Sequence, residues 1–170
     1  SGRDDVVFGT VLFGRLHASA GADRVLGMFL NTLPLRLRRD HTSIEQAVVQ
    51  TQRLLAQLLH HEHALLAQAQ RCSGIQAPAP LFAALFNYRY RGGGNVLAED
   101  QARSEAIWQG IDTLHLRERT HYPLSLAIND DHDSGGFSVE VQASQGLDPD
   151  ALAQTMAEIL STRQGDLARF

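Results

Sequence analysis

Gly27-Met28-Phe29-Leu30-Asn31-Thr32-Leu33-Pro34-Leu35-Arg36 is the stretch on which the reading of this chain turns. One polar pair, Asn31-Thr32, interrupts an apolar run, and a rigid Pro34 and a single cation follow it. A carboxamide set among Phe29, Leu30 and Leu33 must find hydrogen-bond partners if it is buried. A buried turn and a pocket wall are the two places where such a group belongs. Proline inside an otherwise extended run further predicts that Thr32–Arg38 is a strand at a sheet edge, or begins one.

Outward from that stretch the chain alternates elements. Val6 to Arg15 is β-branched and aromatic and reads as a strand, with Gly9 marking a bulge or a close backbone approach. Ser43 is placed to cap a long helix whose stripe is Ile44, Val48, Thr51, Leu55 and Leu58. Glu62 falls in the apolar phase of that stripe, so the helix is expected to break near His60-His61. A short helix over 64–71 follows. Leu81–Tyr90, Trp108–Arg117, Pro123–Asn129 and Phe137–Ala143 read as strands, the last two joined by a turn over 130–136. Asp148-Pro149 opens a final helix with Leu152, Met156, Ile159 and Leu160 on one face. The expected fold class is therefore mixed α/β, about six strands with two main helices.

Composition limits the function classes. With 170 residues, 44% of them hydrophobic and 20% charged, the chain can bury a core as one domain or one lobe of a larger one. A net charge of −4 carries no electrostatic footprint for nucleic acid or an anionic membrane. One cysteine, Cys72, excludes an internal disulfide and fits a reducing cytoplasm; a small half-buried residue is its expected role. No apolar run reaches transmembrane length. There is no initiator Met and Val6-Val7-Phe8 already opens a strand, so the chain is expected to be a piece of a longer polypeptide.

Three segments, in order, carry a resemblance. Val7-Phe8-Gly9-Thr10-Val11-Leu12-Phe13-Gly14-Arg15 precedes Gly27–Arg36, which reads Gly-x-Phe-x-Asn-Thr-x-x-x-Arg. Leu59-His60-His61-Glu62-His63-Ala64-Leu65 then leads to Pro80-Leu81-Phe82 and Asn87-Tyr88-Arg89, and Tyr122-Pro123-Leu124-Ser125-Leu126 closes the set. Together these segments resemble the condensation domains of nonribosomal peptide synthetases. The resemblance implies residues 1–170 as the C-terminal lobe of a pseudo-dimeric, chloramphenicol-acetyltransferase-like fold. The family's His-His-x-x-x-Asp-Gly motif belongs to the N-terminal lobe and is absent here. His60-His61 lacks the Asp-Gly offset and is a decoy.

What the resemblance implies chemically is amide formation between a carrier-bound acyl or peptidyl thioester and a carrier-bound amine. The implied partners are the N-terminal lobe, upstream and downstream peptidyl carrier domains bearing 4'-phosphopantetheine, and an adenylation domain. No cofactor is expected on this chain itself, and the isolated chain is expected to be inert. Asn31, Thr32, Arg36 and Thr10 are the implied tunnel or positioning residues. Gly27, Phe29, His61, Glu62, His63, Asn87 and Tyr88 are the motif-matched structural ones.

Each assignment has a plainer rival. Asn31 reads more readily as a hydrogen-bonder of a buried turn than as a chemical participant, and Arg36 as an ion-pair or packing residue. The His60–His63 cluster lacks a third well-spaced metal ligand, and solvated histidines at a helix end explain it. Gly92-Gly93-Gly94 lacks the Lys-Ser/Thr of a phosphate loop. Asp130-Asp131-His132-Asp133 reads as a hairpin turn. Two functional alternatives stay open: a same-fold epimerisation, cyclisation or acyltransferase domain, and a non-catalytic module that docks carriers. Asn31-Thr32 speaks against epimerisation, and the His-Glu-His form is similar to a D-accepting or dual-function subclass.

Overall fold

The computed structural model describes residues 3–14, 27–38, 43–76, 78–91, 110, 120–131, 136–144 and 146–167. In chain order the elements are β1 (Asp5–Leu12), β2 (Asn31–Arg38), α1 (Ile44–Leu59), α2 (Leu66–Cys72), β3 (Ala84–Arg91), β4 (Leu124–Asp131), β5 (Gly136–Ala143) and α3 (Pro149–Leu167). The strands form a five-stranded sheet in the order β2-β1-β3-β4-β5. Strand β1 pairs antiparallel with β2 and parallel with β3, so the sheet is mixed and the fold is α/β as expected. Apart from Gly110, the expected strand over 108–117 lies outside the described residues, as do the triple-glycine loop and most of the turn after β4.

Contacts divide the chain into a first unit, Ser1–Asn87 with Tyr122–Leu126, and a second, Tyr88–His121 with Ala127–Phe170. In the first unit, alternation decides what is buried. The register Val6↔Leu37, Phe8↔Leu35, Thr10↔Leu33 and Leu12↔Asn31 puts these eight side chains on one sheet face. Thr10, Leu12, Leu33 and Leu35 are buried there, and Phe8 meets Phe86 edge to face at 6.0 Å. On the other face the ring of Phe82 lies directly over Gly9 and stacks on Tyr122 at 5.3 Å. A Cβ at Gly9 would clash with the edge of the Phe82 ring and lie 2.9 Å from Thr32 Cγ2. The expected close approach at Gly9 is therefore real.

Boundaries differ from expectation where the backbone turns. Strand β1 ends at Leu12 because Gly14 adopts φ +67°, with the Phe29 carbonyl packed against it. Strand β2 starts one residue early because Asn31 pairs with Leu12. Strand β3 starts at Ala84 rather than Leu81, since Phe82 is turned down onto Gly9. Pro34 sits mid-strand in β2 and opposite Gly9, on the sheet's outermost strand among the described residues.

Helix α1 opens with the expected cap, here a full capping box. Ser43 Oγ accepts from Gln46 N at 3.2 Å, and Gln46 Oε1 accepts from Ser43 N at 3.2 Å. It ends at Leu59, next to the expected break. Its stripe is only half used: Thr51, Leu55 and Leu58 are half-buried, whereas Ile44 and Val48 are 67% and 57% exposed. The first turns of α1 border an open groove beside Val6 and Leu37 and do not reach the core. Helix α2 is a seven-residue helix with no buried side chain, so Cys72 is exposed and not half-buried.

In the second unit, α3 lies against β5. Asp148 Oδ1 accepts from the backbone N–H groups of Asp150 and Ala151 at 3.0 and 3.2 Å, the expected N-cap with Pro149 first in the helix. Leu152, Met156 and Leu160 are half-buried, while Ile159 is exposed. Among the described residues no helix is long and apolar enough to cross a membrane.

Candidate functional site

The site is built around the first residue of β2. The two hydrogens of Asn31 Nδ2 go to two main-chain acceptors, Glu62 O at 2.8 Å and Ala64 O at 2.8 Å. Its Oδ1 accepts from Thr32 N at 2.9 Å. The accepting carbonyls belong to the connection between α1 and α2, where the end of a helix leaves C=O groups without intrahelical donors. One carboxamide thus ties the sheet to the helix junction. That arrangement explains why a polar side chain sits in an apolar run.

The connection itself is a tight series of turns. His61 N donates to Leu58 O at 2.9 Å, Glu62 N to Leu59 O at 3.1 Å, and Ala64 N to His61 O at 2.8 Å. These turns point His61 and His63 outward and draw Glu62 inward to 2% exposure. Glu62 Oε1 lies 3.6 Å from His63 Nε2. The depth of Glu62 is a finding that its place in the apolar phase foreshadowed. Among the described residues no cluster of three or more His, Cys, Asp or Glu side chains could hold a metal ion.

Of the candidate residues, the structure brings together Asn31, Thr32 and Glu62, with Thr10 buried further along the same face as Asn31. Gly27 and Phe29 act just upstream. The Phe29 ring folds back over Gly27, where a Cβ would meet it at 2.9 Å, and the Phe29 carbonyl closes on Gly14. Arg36 faces the other way. Its Nε and Nη2 fork onto Asp5 Oδ1 and Oδ2 at 2.9 and 2.6 Å across β1 and β2. Those hydrogen bonds, aided by the guanidinium charge, hold the Asp5 carboxyl below its usual range and raise Arg36. Asn87, two residues beyond Leu85 in register with Gly9, stands half-buried on the face opposite Asn31.

Tyr88 belongs to the second unit. Its hydroxyl donates to Asp130 Oδ2, and that hydrogen bond, with burial and the nearby carboxylate charge, pushes the phenol up to about 12. The same unit holds a polar network that sequence reasoning missed. Buried Asn129 donates through Nδ2 to Ser138 Oγ at 3.0 Å and Glu140 Oε1 at 3.1 Å, and Arg89 Nη1 reaches Glu140 Oε2 at 3.3 Å. The available signal was Ser138 and Glu140 alternating with Phe137, Val139 and Val141 along β5.

Comparison with known proteins bears on this geometry. The condensation-domain family model matches residues 1–163. Malpinin synthetase of Mortierella alpina is 45% identical over 160 residues, which is 94% of this chain and 2% of that protein. Malpibaldin synthetase of the same organism is 47% identical over 141 residues, 83% of this chain and 2% of that protein. Vanchrobactin synthetase VabF of Vibrio anguillarum is 31% identical over 132 residues, covering 75% and 4%. The chain therefore spans only a small part of these relatives.

Among solved structures, the condensation domain of the monacolin K polyketide synthase MokA superimposes with a TM-score of 0.68 at 24% identity, covering 95% of this chain and 37% of that one. The four-domain nonribosomal peptide synthetase AB3403 superimposes with a TM-score of 0.64 at 18% identity, covering 92% and 13%. At these identities the superpositions speak for the fold. A five-stranded mixed sheet of that fold, a Gly-x-Phe-x-Asn-Thr segment clipped to the helix junction, and a family match over 163 of 170 residues agree. The chain belongs to the condensation-domain family of the nonribosomal peptide synthetases.

Proposed function

We propose that residues 1–170 are the C-terminal lobe of a condensation domain that joins a carrier-bound acyl or peptidyl thioester to a carrier-bound aminoacyl acceptor. In that reaction the acceptor nitrogen attacks the thioester carbonyl, a C–N bond forms, the C–S bond breaks, and the released thiol keeps the proton. The 4'-phosphopantetheine arms belong to the partner carrier domains. The proton-handling histidine belongs to the N-terminal lobe, and the enzyme works in the cytoplasm beside an adenylation domain. This lobe supplies a rigid wall against which two tethered substrates are held end to end, which makes the step effectively intramolecular.

The observation that carries this reading is the state of Asn31. Both of its donors and its carbonyl oxygen are engaged within the chain, so it braces the wall and is no proton carrier. Thr10 extends that wall along β1, while Thr32 and Arg36 lie on the opposite face, where Arg36 locks the two strands through Asp5. The test is peptide-bond formation by the intact domain with loaded carrier domains. Asn31→Ala should lower turnover by a larger factor than its lowered melting temperature explains. Equal losses at matched fractions of folded protein would reduce Asn31 to a fold residue. Residues 1–170 alone should form no product, and any turnover by them overturns the assignment of the chemistry to the other lobe.

A further inference from the structure

Strand β2 is the outermost strand of the sheet among the described residues, so alternate main-chain groups along it point away from β1. Two observations identify which ones. Pro34 stands opposite Gly9 in an unbroken antiparallel register. A residue without an N–H cannot supply its half of a hydrogen-bonded pair, so Pro34 occupies a non-hydrogen-bonded pair and turns its main chain outward. Thr32 has the same parity, and its N–H donates to the side chain of Asn31. The outward set is therefore Thr32, Pro34, Arg36 and Arg38.

An outermost strand normally offers a row of donors and acceptors to any extended chain that meets it. Here the first outward donor is occupied and the second does not exist. The next two outward positions carry arginines, with the Arg36 side chain 62% exposed. An incoming strand would leave two consecutive carbonyls without donors, over a distance of about 7 Å along β2. We infer that Asn31-Thr32-Leu33-Pro34 is a donor-silenced edge, which bars a second copy of the domain from adding to the sheet through β2. This inference stands apart from the assignment of the reaction.

The test restores one donor. Pro34→Val and Pro34→Thr, made in the intact condensation domain, each return an N–H at an outward position, one with an apolar side chain and one with a polar side chain. In sedimentation at rising concentration, both variants should self-associate at least tenfold more tightly than wild type. Hydrogen exchange of the peptide spanning 31–38 should slow as they associate. Variants that melt like wild type and sediment like it at every concentration overturn the inference. So does a residue-34 amide already protected at the lowest concentration, because that N–H would then face β1. Failure of either variant to fold also overturns it, since a donor pointing into water makes no demand on the sheet.

Discussion

At Asn31 a single side chain donates to two main-chain carbonyls of the helix junction. Removing it leaves both acceptors short of a donor in a half-buried place, and Asn31→Ala should cost about 2 kcal/mol, measured by urea unfolding. Asn31→Asp is expected to lose more than Asn31→Ala, because carboxylate oxygens would then face carbonyl oxygens. Tyr88 yields a prediction in pH. Its folded pKa, about 12, lies above the ordinary phenol value of 10.0. The neutral hydroxyl therefore contributes stability that is complete below pH 10 and is lost as the pH climbs through the folded pKa. Tyrosinate absorbance should show the Tyr88 phenol ionising late, and Asp130→Asn should bring it back toward the ordinary phenol value. Asp5 runs in the opposite sense: its carboxyl is lowered by Arg36, so this pair stabilises above the ordinary carboxylate range and fades on acidification. Asp5→Asn should flatten that acid limb.

Between elements, the informative contact is Phe82 over Gly9. Gly9→Ala places a methyl group inside the ring's space and should destabilise by about 1–3 kcal/mol. Phe82→Leu should recover part of that loss in a double-mutant cycle, whereas Phe82→Leu alone weakens the packing. The α1 cap is the local counterpart: Ser43→Ala removes one half of the box and should cost about 1 kcal/mol. The two cases also show what sequence can disclose. Ser43 with Gln46 is legible because both partners lie within one turn. Gly9 announces only that something comes close; Phe82 is 73 positions away and is delivered by the parallel pairing of β1 with β3. Likewise, the apolar period of α1 was visible, but its exposed first half was not. A stripe states that a helix has an apolar side, and only the sheet beneath it states how far that side is covered.

For the molecule as a whole, the order β2-β1-β3-β4-β5 makes β1 the hinge of assembly in its unit, with one partner nearby in sequence and one distant. The β1–β2 pair closes a short excursion, whereas Gly9↔Leu85 and Thr10↔Phe86 must close a long loop before any contact compensates it. Phe8→Leu, which thins the 6.0 Å ring contact with Phe86, should therefore speed unfolding and leave the refolding limb of a chevron nearly unchanged. The family was legible at this scale because its signature lies in short segments whose order is linear. The site was legible only in part. Asn31 stood out as an amide needing partners, yet its partners are main-chain carbonyls, which every residue type offers and no sequence pattern marks. Asn129 and the pairing of Tyr88 with Asp130 were silent for a related reason, since burial and cross-strand pairing are properties of the sheet and the turns around them.

That the clip at Asn31 grips main chain and not side chain sets what this junction tolerates over evolutionary change. Substitutions at 62 and 64 leave both acceptors in place, so the clip itself makes no demand on the side chains there. Length is not free. One residue inserted or deleted between Leu59 and Leu66 moves the carbonyls out of reach, and neither gripped position can then be restored by changing a side chain. In a recombined synthetase, a crossover inside 59–66 is safe between parents of equal spacing and destructive between parents that differ by one residue.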